Sequence, residues 1–166
     1  MNTEQIIEIV AKALKNIDSS RFFKTERGFQ GRFVCVLYEI LDAEGLFPED
    51  AILEEEYQKR IGNYGTSQRP DLIIHVPVES THSSDRTENN FVVFEFKKQA
   101  DENKAKGDFK KLDKIFRELK YPLGIFVNIN GSKFFLDGYS GQFENRIHEF
   151  CVTQTNDKSN ILHAHV

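Results

Sequence analysis

The run Phe91–Lys97, FVVFEFK, constrains this chain more than any other segment. Its density of β-branched and aromatic residues specifies a strand buried inside a sheet. Strand alternation then sets Val93, Glu95 and Lys97 on one face, with Phe94 and Phe96 on the other. A carboxylate and an ammonium on a buried strand face are costly unless a partner or a task accounts for them. The fold must therefore bring something to that face.

Periodicity along the rest of the chain supplies the candidates. Residues 4–17 space Ile6, Ile7, Val10, Ala13 and Leu14 as an amphipathic N-terminal helix. A second helix is expected from Glu26 to Glu44, with Thr25 as N-cap and Gly45 and Pro48 as its stop. Residues 52–60 are assigned to a strand, 61–69 to a loop, Asp71–Val76 to a short strand, and the polar stretch 77–90 to a flexible connection. A third helix follows over 103–119 with Phe109, Leu112, Ile115, Phe116 and Leu119 along one side. Leu123–Ile129 and Lys133–Leu136 flank Asn130-Gly131, a pair suited to a tight hairpin. An amphipathic segment over 142–151 and a loose tail over 153–166 complete the chain. The order α, α, β, β, β, α, β, β defines an α/β domain with a mixed central β-sheet flanked by helices. At 166 residues the chain holds one domain with a proper core, set at about 25–138.

Composition narrows the class. Hydrophobic residues are 39% and charged residues 29%, as in a globular protein rather than a disordered one. No apolar run approaches the roughly 18 residues that a membrane span needs, so no membrane partner is expected. The opening Asn2-Thr3-Glu4-Gln5 lacks the basic start of a secretory signal, and Cys35 and Cys151 have no C-x-x-C neighbour. These features lead to the expectation of a cytoplasmic protein with two reduced thiols, each placed by its apolar neighbours in the core. The five histidines show no H-x-E, H-x-x-x-H or comparable grouping, so no zinc site is expected. Net charge is −4, but it is unevenly spread. Eight acids and no Lys or Arg fall between Glu39 and Glu56, whereas nine basic residues against five acids fall between Lys97 and Lys120. Phosphate recognition responds to such local charge, although a solvated surface accounts for any single run equally well.

Asp71 begins an apolar strand directly after Pro70. If its carboxylate meets that of Glu95 across adjacent strands, the two can share a hard divalent cation, Mg²⁺ or Mn²⁺. Lys97 would then stand beside a scissile phosphate and stabilise charge on its oxygens. The plainer alternative is an internal Glu95–Lys97 ion pair with Asp71 as a strand-start cap.

The pair RPDLIIHV and FVVFEFKK resembles the motif pair of the PD-(D/E)xK nuclease superfamily, in particular small prokaryotic members. Glu26-Arg27-Gly28-Phe29 matches the E-R-x-aromatic start of the helix that precedes the motifs in such members. The resemblance covers roughly Thr25 to Val127. It implies a restriction-endonuclease-like core of helix, three-stranded meander, helix and strand. It also implies metal contacts from Asp71, Glu95 and the Phe96 carbonyl, Lys97 as catalytic lysine, and a metal-dependent nuclease acting on DNA. A nuclease-fold module that binds without cleaving is the alternative.

Among helix acids, Glu26 shares a face with Gln30, Phe33, Leu37 and Leu41, whereas Glu39 points half a turn away. Glu26 is therefore the candidate auxiliary ligand, against the equally simple reading of an acid favoured at a helix N-terminus. Gln30 lies on the same face. Arg69, Lys98, Lys110 and Lys111 are candidates for phosphate contact, against a solvated face. A homodimer is left open.

Overall fold

The computed structural model describes residues 2–47, 50–56, 69–77, 89–156 and 158–165. Asn2 opens helix α1 (Thr3–Lys15) with a reciprocal cap: its side chain accepts from the Gln5 amide, and the Gln5 side chain accepts from the Asn2 amide. The face that carries Ile6, Ile9, Val10, Ala13 and Leu14 is buried. A short 3₁₀ turn, Ser20–Lys24, leads to α2 (Glu26–Ala43). Thr25 caps α2 as expected, its hydroxyl accepting from the Gly28 amide at 3.0 Å.

Six strands form one sheet in chain order: β1 (Ile52–Glu55), β2 (Leu72–His75), β3 (Asn90–Lys98), β4 (Gly124–Ile129), β5 (Ile147–Thr155) and β6 (Lys158–His165). β1, β2 and β3 form an antiparallel meander, β3, β4 and β5 run parallel, and β6 returns antiparallel. Helix α3 (Glu102–Leu119) makes the crossover from β3 to β4. The core of helix, meander, helix and strand implied by the motif pair is thus present as α2, β1 to β3, α3 and β4.

The sheet is covered on both faces, which explains the continuous apolar sequence of β3. Val92, Phe94 and Phe96 pack with α1 and α2 against Phe29, Phe33 and Leu37. Val93 turns to the other side, among Phe109, Leu112 and Phe116 of α3 and Phe126 of β4. Alternation along β3 is therefore as expected, and Glu95 is committed to the α3 side.

Three expectations are corrected. No hairpin forms at Asn130-Gly131. Asn130 does adopt a positive φ of 57°, but the chain leaves the sheet and passes through 3₁₀ turns at Leu136–Gly138 and Glu144–Arg146. It is held there by Glu149 of β5, whose Oε2 accepts from the Phe135 and Leu136 amides at 2.8 and 2.9 Å. The Lys133–Leu136 backbone is thereby occupied outside a ladder, and β5 comes back parallel to β4. The described residues of the tail after Thr153 are not loose: they complete β5 and form β6, paired from Thr155↔Lys158 to His148↔His165. Its polar texture reflects an edge strand whose outer side meets solvent. Finally, Cys35 is exposed while Cys151 is buried. The buried stripe of α2 runs through Phe33, Val36, Leu37 and Ile40, which turns Cys35 outward.

The expected strand over 52–60 is present over Ile52–Glu55, and its remainder lies outside the described residues. Most of the loop over 61–69 and of the connection over 77–90 also lies outside them. Among the described residues, no helix is long and apolar enough to cross a membrane.

Candidate active site

β2 stops short of β3, and the site is built where it stops. The ladder ends at Leu72↔Phe94, so the next amides of β3 on that side, those of Phe96 and Lys98, extend past the end of β2. Two carboxylates take the place of the strand. Asp71 Oδ2 accepts from the Phe96 amide at 2.8 Å, and Glu26 Oε2 accepts from the Lys98 amide at 2.8 Å. The Asp71 backbone is clamped as well, its carbonyl accepting from Gln30 Nε2 at 2.7 Å and from the Glu56 amide at 3.0 Å. Gln30 thus acts on the backbone of Asp71, from the α2 face that the helical spacing assigned to it.

Across the register, Glu95 is 1% exposed. Its Oε2 accepts from Lys111 Nζ of α3 at 2.6 Å, and the same ammonium stands 4.0 Å from Asp71 Oδ1. Both carboxylates therefore share one cation and one side of the sheet. Lys97, two residues on, lies 3.7 Å from Glu26 Oε1 and 3.7 Å from Asp108 Oδ2. Two acceptor atoms in the cluster, Glu95 Oε1 and Asp108 Oδ2, are buried without a hydrogen-bond partner among the described residues.

Among the described residues, four carboxylic acids (Glu26, Asp71, Glu95, Asp108) surround two ammonium groups (Lys97, Lys111). The proton affinities follow. Burial pushes the Glu95 carboxyl well up, and the Asp71 charge adds to it against the pull of Lys111. Burial raises Asp71 too, opposed by the Phe96 amide and by both lysines, and it raises Asp108 against the same two ammonium groups. Burial alone would lower Lys97, but Asp108, Glu26, Asp71 and Glu95 outweigh it, so Lys97 stays charged.

The sequence-derived set divides clearly. Asp71, Glu95, Lys97 and Glu26 come together, with Phe96 donating its amide to Asp71. Lys111, set above against a solvated face, points inward as the counter-ion of Glu95. Asp108, on the same face of α3, is the residue for which sequence reasoning found no role beyond its place beside Lys111 on the helix after the E-x-K strand; it stands one turn before Lys111 beside the buried stripe of Ala105, Phe109 and Leu112. The remaining basic candidates turn elsewhere. Arg69 pairs with Glu56 through its side chain at 2.7 Å and also donates to the Glu56 carbonyl. Lys98 Nζ donates to the Lys24 carbonyl at 2.5 Å. Lys110 is exposed and lines a groove with Lys106, Phe109 and Tyr139.

The mixed six-stranded sheet of the described residues, with helices on both faces, defines an α/β protein of the restriction-endonuclease-like fold. Two solved structures share that fold. They are NucC of E. coli MS115-1 in its cAAA-bound form, 15% identical, and NucC of P. aeruginosa ATCC27853 in its cAAA-bound form, 14% identical. Each alignment covers 99% of this chain and 84% of the other, with a TM-score of 0.53. No family model matches the chain, and no curated protein matches it in sequence.

Proposed function

We propose that this protein is a divalent-metal-dependent nuclease that hydrolyses phosphodiester bonds, with DNA as the substrate to test first. The observation that supports the reading is the excess of acids around Glu95: among the described residues four carboxylic acids meet two ammonium groups, and Glu95 Oε1 is buried without a hydrogen-bond partner. A single Mg²⁺ or Mn²⁺ suits such a set of carboxylate oxygens and would draw them into their ionised form. Asp71, Glu95 and the Phe96 carbonyl would hold the ion, with Glu26 as an auxiliary acid and Asp108 at the rim. The ion would supply Lewis-acid polarisation of the phosphodiester.

The chain's own groups have separable tasks. Asp71 is oriented twice, through its side chain by the Phe96 amide and through its carbonyl by Gln30. Lys97 is kept protonated by its acidic neighbours, so it serves as a fixed positive charge and not as a general base. Glu26 and Asp108 flank its ammonium at 3.7 Å and hold it on the site side of β3.

Lys111 favours a second reading. Its ammonium already neutralises Glu95 at 2.6 Å, as it would in a nuclease-fold module that binds nucleic acid or protein without cutting. A plasmid-nicking assay separates the two. The nuclease reading expects nicking with Mg²⁺ or Mn²⁺, none in EDTA, and a loss of about 100-fold or more in Asp71→Ala, Glu95→Gln and Lys97→Met, the scale of removing one transition-state charge contact. Absence of nicking under all these conditions selects the module.

A further inference from the structure

The sheet edge far from β1 carries a second cluster that the nuclease reading does not use. His163 and His165 alternate onto one side of β6, and His148 of β5 pairs in register with His165. One ligand nitrogen from each ring lies within 4.8 Å of the other two. His148 Nδ1 and His163 Nε2 are 3.0 Å apart, close to the separation of about 3.3 Å that two nitrogens take on a tetrahedral ion with bonds near 2.0 Å. The site has a rigid side. His148 is 9% exposed on a strand of the buried core, and the Phe150 ring stacks on His163 at 4.3 Å. His163 and His165 stand at the exposed edge, open to an ion from solvent.

We propose that His148, His163 and His165 form a binding site for a borderline transition-metal ion, Zn²⁺ by preference, that ties edge strand β6 to β5. Three imidazoles suit Zn²⁺, Cu²⁺ or Ni²⁺ and not the hard Mg²⁺ of the carboxylate cluster. Rings packed this closely cannot all carry protons, so the cluster presents lone pairs. Three protein ligands leave the fourth tetrahedral position to water. No local spacing motif contains the whole set, because His148 arrives from the neighbouring strand.

The test is a competition titration of the full chain with Zn²⁺ against a chromophoric chelator, in excess Mg²⁺ to occupy the carboxylate cluster. Circular dichroism of each variant checks its fold. One equivalent of Zn²⁺ should bind both the parent and Asp71→Ala. Affinity should drop at least 10- to 100-fold in His163→Ala and in His165→Ala, since even an outer partner of a metal-bound imidazole is worth about that much. Zn²⁺ should also raise the melting temperature of the parent and not of His165→Ala. The proposal is overturned if no Zn²⁺ binds, if binding disappears in Asp71→Ala, or if both edge-histidine variants bind as the parent does. The two edge histidines are exposed, so their replacement leaves the core intact; His148→Gln adds a third arm if it folds.

Discussion

Lys111 and Glu95 set the behaviour of the site when no metal is bound. Their 2.6 Å contact buries one salt bridge, and removing only the lysine strands a carboxylate that is 1% exposed. A bare buried charge would cost about 3–5 kcal/mol. Burial raises the Glu95 carboxyl well above its ordinary range, however, so taking up a proton costs less than leaving the charge bare. Lys111→Met is therefore expected to lose only about 1–3 kcal/mol at neutral pH. Its melting temperature in EDTA should fall below the parent's, and Mn²⁺ should recover more stability in the variant than in the parent. The sign with pH follows from the same residue. An acid whose folded pKa lies above its unfolded one binds extra protons in the folded state, so stability falls as pH rises between the two values. For Glu95 that window opens at its ordinary value of 4.5 and extends upward. Denaturant melts in EDTA should lose stability across it, more steeply in Lys111→Met, and saturating Mn²⁺ should flatten the slope. Equal slopes with and without the ion would contradict a shared carboxylate site.

The elements differ in how far local pattern determined them. β3 and α3 carry their own evidence: alternation put Glu95 and Lys97 on one face, and the stripe from Phe109 to Leu119 placed the helix. Glu26 and Gln30 share one helical face of α2, whereas Asp71, which precedes β2, is picked out by its place after Pro70 and by the motif pair rather than by a period. What could not be read depends on contacts between distant segments. The parallel return of β5 is held by Glu149 amide bonds to residues 13 and 14 positions earlier, and the inward turn of Lys111 depends on where the α3 crossover lies over β3. β6 escaped notice because an edge strand buries too little to show a clean apolar alternation. The seam between α3 and β4 gives a test at this scale. A Cβ on Gly124 would meet Phe116 Cζ at 2.5 Å, inside the packed α3 side of the sheet. Gly124→Ala should cost about 1–3 kcal/mol through overpacking. Because the same seam carries Lys111 toward Glu95, it should also weaken Mn²⁺ binding, whereas Gly107→Ala, with open space around it, should do neither.

At the scale of the molecule, the proposed function has to reconcile a net charge of −4 with a polyanionic substrate. The distribution permits it, because α3 brings the chain's densest basic stretch to the site. Lys110 and Lys114 follow one another at helical spacing on its exposed side, next to the inward stripe of Asp108 and Lys111. Acids cluster instead along the exposed part of α2 and in β1, at Glu39, Asp42 and Glu55. A duplex backbone that approaches the carboxylate cluster would thus pass over α3, and each lysine it meets would release condensed counterions. The logarithm of affinity should then fall linearly with the logarithm of salt, by about 0.9 per contacted phosphate. Lys110→Glu combined with Lys114→Glu should raise KM several-fold, leave kcat within about twofold, and reduce the salt slope by about 2. Catalysis should survive because neither side chain touches the carboxylates. Fluorescence anisotropy of a labelled duplex over a salt series, with Ca²⁺ in place of Mg²⁺ to hold back cleavage, measures the slope directly. An unchanged slope would move the substrate path off α3 and onto the α2 side of β3, where Arg27 and Arg69 line a groove beside Gln30.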